Sequence, residues 1–146
     1  MFSEIFHTKS AEEMQALGVQ FAERVSAPKV IALSGELGAG KTTFSQGFLS
    51  ALGSEGPFTS PTFVLMKRYD LLVPKQGIEC IYHADAYRVG EDEFRSLGWE
   101  EWIRDPKGVV LLEWPERIPG LVPKNALRIL FETEGDGRKV CVQMDN

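Results

Sequence analysis

The chain has 146 residues and a mass of 16.3 kDa, the size of one domain. With 43% hydrophobic residues, and 16 Lys plus Arg against 21 Asp plus Glu, its net charge is −5 and its pI is near 5.1. That balance argues against a globally basic nucleic-acid binder, and apolar runs such as Val30–Leu33 are far shorter than the roughly 20 residues of a membrane-spanning helix. Met1-Phe2-Ser3-Glu4 lacks the basic-then-apolar layout of a secretory signal. Cys80 and Cys141 lie far apart without a CxxC spacing, so they read as small apolar packing residues. The expectation is a cytoplasmic protein with no membrane attachment.

Ser10-Ala11-Glu12-Glu13 has the spacing of a capping box, and Met14, Leu17, Phe21 and Val25 recur at helical steps until Pro28 closes the segment. Lys29–Ser34 is a short β-branched apolar run, a buried strand. After a glycine-rich turn, a second helix runs from about Lys41 to Leu52, with Phe44, Phe48 and Leu52 on one face and Gly53 as its stop. Gly56-Pro57 turns the chain into a strand over Thr62–Tyr69, a loop over Leu71–Gly77 and a strand over Ile78–Ala84. Glu91–Leu97 is a short helix ended by Gly98, with Glu91–Glu93 as solvated charges, and Val109–Glu113 is a strand apolar on both faces. The tail alternates through Leu127, Ile129 and Phe131, turns at Gly135-Asp136-Gly137 and returns through Val140 and Val142, a hairpin expected at a sheet edge. The whole reads as a single α/β phosphate-loop (P-loop) NTPase domain over residues 1–146, three-layered, with a mostly parallel sheet and an antiparallel C-terminal hairpin.

Gly35-Glu36-Leu37-Gly38-Ala39-Gly40-Lys41-Thr42 matches G-x-x-x-x-G-K-[ST] at every fixed position. Glycines let consecutive amides turn inward around phosphate oxygens without Cβ obstruction, and the following helix aims its N-terminus at the same anion. The backbone from Gly35 through Glu36, Leu37, Gly38, Ala39, Gly40, Lys41, Thr42 and Thr43 is therefore the candidate nucleotide cradle. In it Lys41 supplies a charge to the β- and γ-phosphates and the Thr42 hydroxyl a ligand to Mg²⁺. Such a loop also needs an acidic residue at a neighbouring strand end. Glu113 and Asp85 both qualify. His83, two residues before Asp85, reads as a structural histidine, and Trp114 as either a site wall or a core residue.

A GTPase would carry N-K-x-D, which is absent, and the arginines after Arg88 are too scattered for the lid of a small-molecule kinase. ATP hydrolysis coupled to a partner leads. A small-molecule P-loop kinase and an ATP-dependent binding module without turnover remain alternatives.

The blocks GELGAGKTT (Gly35–Thr43), SPTF (Ser60–Phe63), HADAYR (His83–Arg88) and EWPE (Glu113–Glu116) appear in the order of the TsaE family, formerly YjeE, which the chain resembles over nearly its whole length. Family sequences often have Leu where this chain has Ala86. The resemblance implies a Mg²⁺-dependent ATPase serving the N6-threonylcarbamoyladenosine modification at position 37 of tRNAs that read ANN codons. It would act on the TsaB–TsaD heterodimer, with TsaC supplying threonylcarbamoyl-adenylate, and would meet tRNA only through that complex. It further implies Lys41, Asp85 and Glu113 as catalytic, Thr42 and Glu113 as metal ligands, Thr62 as a γ-phosphate-sensing switch and Trp114 beside the site. Adenine would lie between Ser10–Ala11 and Arg138, and activity of the isolated chain would be weak.

Overall fold

The computed structural model describes residues 4–58, 61 and 64–144, without the side chain of Met144. Thr62, the expected switch residue, lies outside the described residues. Lys29–Gly35 (β2), Ile78–Asp85 (β4), Gly108–Glu113 (β5) and Leu127–Glu134 (β6) form the parallel centre of a seven-stranded sheet. Glu4–Thr8 (β1), Met66–Lys75 (β3) and Gly137–Met144 (β7) join by antiparallel pairing, giving the order β1-β7-β6-β2-β5-β4-β3.

Ala11–Arg24 (α1) and Lys41–Ala51 (α2) cover one face, meeting Ile31, Leu33, Ile81, Leu111 and Phe131. Glu91–Leu97 (α3) and Trp99–Arg104 (α4) cover the other, where Phe94, Trp99 and Trp102 pack on Val30, Tyr82, Val110 and Leu112. Two covered faces explain why β2 and β5 are apolar at consecutive positions. Among the described residues no helix is long and apolar enough to cross a membrane.

Ser10 caps α1 as its spacing predicts, accepting from the Glu13 amide at 3.1 Å, while Glu13 reaches back to the Lys9 amide at 2.8 Å. The helix stops at Arg24, before Pro28, because the Gln76 side-chain amide takes the carbonyls of Ala22 and Val25 at 2.8 and 2.5 Å.

Four expectations need correction. The third strand begins at Met66, and it continues through the expected loop to Lys75. Pro74 is tolerated there because β3 is an edge strand whose pairing shifts register between Asp70 and Lys75. The C-terminal hairpin is not at an edge: β1 pairs along β7, from Glu4 opposite Val142 to Thr8 opposite Arg138. Gly98 ends α3 in the left-handed conformation but also starts α4, a helix absent from the sequence reading. Glu91 is not simply solvated, since it accepts from the Gly120 amide at 2.7 Å. Both cysteines are buried and unbridged, in keeping with packing roles.

The two helices over the glycine-rich loop touch backbone to backbone. A Cβ on Gly18 would sit 2.2 Å from the Phe44 carbonyl oxygen, and one on Gly47 would sit 2.1 Å from that of Gln15. Gly47→Ala therefore forces α1 and α2 apart and is expected to cost about 2–3 kcal/mol, read as a lower urea midpoint; Ser50→Ala, at an exposed position of α2, is the unaffected control. On the opposite face the Tyr82 hydroxyl donates to Asp105 Oδ2 at 2.7 Å. Burial, then this bond, raises the Tyr82 pKa, and the same bond holds Asp105 below the usual aspartate value. The aspartate's share of the stability is thus present above about pH 4 and lost below it, and the tyrosine's is lost above about pH 10. Tyr82→Phe should cost about 1–2 kcal/mol between pH 5 and 9, with the gap to the parent narrowing at pH 3 in chemical denaturation.

Candidate functional site

Parallel pairing places Leu33 opposite Glu113 and Glu113 opposite Asp85, so three adjacent strands end together beside the loop that leaves β2. The loop spans Gly35 to Lys41. Gly35 has φ 147°, and a Cβ there would lie 2.5 Å from the Phe131 carbonyl oxygen, so only glycine fits. Ala39 is buried and its amide closes a turn on the Glu36 carbonyl at 3.1 Å. Gly40, at φ 112°, starts α2, and among the described residues no side chain caps that helix. Its first turn also holds no acidic residue. The amides at this helix start and their positive dipole end therefore face the loop without a competing carboxylate of their own, the arrangement an anion requires.

Lys41 is 4% exposed, and its ammonium donates to the Gly35 carbonyl at 2.5 Å while lying 3.9 Å from the centre of the Trp114 ring. Burial pushes its pKa down from the ordinary lysine value, and the carboxylates of Glu113, Glu116 and Asp85 pull it back up. Trp114 is held in the left-handed conformation (φ 61°), its amide donating to Leu33 at 3.3 Å. Its other neighbour is Tyr87, with ring centres 4.9 Å apart, and Arg117 lies 4.8 Å from the Tyr87 ring centre. The tryptophan lines the cavity that holds Lys41 and also packs against the core cluster of Phe94, Trp99 and Trp102.

Two adjoining cavities meet at Gly38, Gly40 and Thr43. One, of about 320 Å³, is lined by Leu37, Lys41, Thr42, Glu113 and Trp114. The other, of about 290 Å³, lies between Ser10, Ala11 and Met14 on one side and Arg138 on the other. Arg138 bridges the hairpin to the loop, donating to the Gly38 carbonyl at 3.2 Å. The structure thus brings together most of the residues singled out in the sequence. The side chain of Glu36 is exposed, and only its carbonyl takes part in the loop.

Asp85 is buried, and its Oδ1 accepts from the Tyr87 amide at 2.8 Å. Thr42 and Glu113 offer hard oxygen donors to one cavity, the chemistry that suits a magnesium ion whose other ligands are phosphate and water oxygens. Among the described residues no group of three or more His, Cys, Asp or Glu forms a metal cage.

Sequence reasoning passed over three neighbours. His83 is buried with its Nε2 2.7 Å from Glu113 Oε2. Glu116 accepts from the Ser34 hydroxyl at 3.1 Å, and Tyr87 packs at a tilt against Trp114. His83 and Asp85 are two apart on β4 and so share a face, a signal that was available. Lys9 and Asp136 also line the cavity beside Arg138.

Residues 8–140 match the family described as threonylcarbamoyl adenosine biosynthesis protein TsaE. The chain is 37% identical over 134 residues to the tRNA threonylcarbamoyladenosine biosynthesis protein TsaE of Bacillus subtilis (strain 168), covering 92% of this chain and 80% of that one. It is 35% identical over 138 residues to the protein of the same name in Borreliella burgdorferi, covering 93% and 96%. Among solved structures, Bacillus subtilis YdiB superposes with a TM-score of 0.81 at 29% identity, over 100% of this chain and 88% of that one. With the fold, the loop and both acidic strand ends in place, the chain belongs to the TsaE family of tRNA threonylcarbamoyladenosine biosynthesis proteins.

Proposed function

We propose that this chain is an ATPase that binds ATP with Mg²⁺ and, through hydrolysis, acts on a TsaB–TsaD assembly during tRNA threonylcarbamoyladenosine formation. The observation that carries this reading is the register pairing of Asp85 with Glu113 beside the buried Lys41 ammonium, at the mouth of a glycine loop that runs into an uncapped helix. The loop amides and Lys41 would take the β- and γ-phosphates, with Lys41 exchanging its bond to the Gly35 carbonyl for phosphate oxygens. The cavity between Ser10, Ala11 and Arg138 is adjacent at Gly38 and Gly40, on the side where the base would lie. Thr42 and Glu113 would hold magnesium, which supplies charge neutralisation on the phosphate oxygens. Asp85, oriented by the Tyr87 amide, is the carboxylate left to orient the attacking water. Trp114 shields the ammonium from solvent on one side and strengthens its electrostatic pull.

With Lys41 as the cation assigned to the phosphates and no arginine assigned as a finger, turnover by the isolated chain should be slow. The net charge of −5 suits docking on a protein better than gripping tRNA directly. The test is ATP hydrolysis measured with the chain alone and with TsaB–TsaD. Stimulation of tenfold or more is expected from the assembly; equal rates would overturn the coupling. Lys41→Ala should lose nucleotide binding in calorimetry, whereas Asp85→Asn should keep it and lose about 100-fold or more in turnover. Transfer of labelled γ-phosphate to a small-molecule acceptor rather than to water would favour a kinase instead.

A further inference from the structure

His83 is 1% exposed and sits on β4, with Asp85 on the same face and Leu111 of β5 opposite it. Its ring makes a 2.7 Å bond through Nε2 to Glu113 Oε2, and its Nδ1 is buried with no hydrogen-bond partner among the described residues. Because the carboxylate accepts, Nε2 carries the proton of that bond. Burying a polar imidazole costs more than burying an apolar side chain, and here that cost is offset by its bond to the buried Glu113 carboxylate. The cost makes sense if the ring's task is to fix one oxygen of Glu113 and so turn the other toward the cavity shared with Thr42.

We infer that His83 is a positioning residue for Glu113, setting the carboxylate's orientation toward a magnesium–nucleotide ligand. The inference rests on the assignment of Glu113 proposed above. It has the logic of outer-shell groups at metal sites, whose loss weakens ion affinity by about 10–100-fold.

The two ring nitrogens can be separated by substitution. In His83→Gln the amide nitrogen falls near the position of Nε2 and can still donate to Glu113. In His83→Asn it falls near Nδ1 and that bond is lost, and His83→Leu removes both. Each variant, saturated with a non-hydrolysable ATP analogue, is titrated with MgCl₂ while its melting midpoint is followed. Nucleotide affinity is measured separately in EDTA to report an intact site.

His83→Asn and His83→Leu are expected to weaken apparent magnesium affinity about tenfold or more, with His83→Gln within about threefold of the parent and all three binding nucleotide normally in EDTA. Parent-like magnesium affinity in His83→Asn, or a His83→Gln variant as impaired as His83→Leu, overturns the inference. So does loss of nucleotide binding in EDTA by all three, which marks the ring as purely structural. Glu113→Gln, run in parallel, separates the two levels. If it leaves magnesium affinity unchanged, the assignment of Glu113 falls and this inference with it; if it weakens affinity while His83→Asn does not, only the histidine's role is lost.

Discussion

Parallel strand pairing is the constraint on which the site depends. β2, β5 and β4 run the same way, so their C-terminal ends arrive at one rim of the sheet, with Leu33, Glu113 and Asp85 in register. Their placement beside the loop follows from backbone hydrogen bonds made several residues earlier. Slipping β5 by one residue against β2 would send Glu113 to the opposite face, among Phe94 and Trp99. Burying that carboxylate among aromatic rings is costly, so the core that stabilises the sheet also fixes its chemistry.

A buried ammonium and nearby carboxylates are costly unless each finds partners. Here they are shared out. Lys41 takes a carbonyl and an aromatic face, Glu113 takes an imidazole, and Asp85 takes a backbone amide. The carbonyl, the aromatic ring and the amide are neutral groups, so these contacts leave the charges in reach of a highly charged substrate. Burial still lowers the lysine's proton affinity, and a triphosphate would reverse that by adding negative charge next to it.

The parts of the molecule governed by short-range rules were legible in the sequence. The Ser10 cap, the glycine loop and the ends of α2 and α3 follow from residue types within a few positions of one another. The acidic strand ends were legible for the same reason, since a run such as Val109–Glu113 announces its own burial and its own terminus. What escaped needed partners distant in the chain. β1 is too short and only half-buried to show itself until β7 lies beside it, and β3 continues past Leu71 although Leu72 and Val73 are exposed. Likewise the bond between His83 and Glu113 joins residues on neighbouring strands, and neither residue alone reveals it.

The glycine contacts between α1 and α2 bear on how the cleft can open. Gly18 seats against Phe44 and Gly47 against Gln15, so the backbones interlock with no side chain between them to yield. The cavity wall at Ser10, Ala11 and Met14 and that at Lys41, Thr42 and Thr43 thus belong to one stiff jaw. A hinge that admits or releases a bulky guest would lie across from it, where Arg138 reaches over from the tip of the hairpin to latch onto the Gly38 carbonyl.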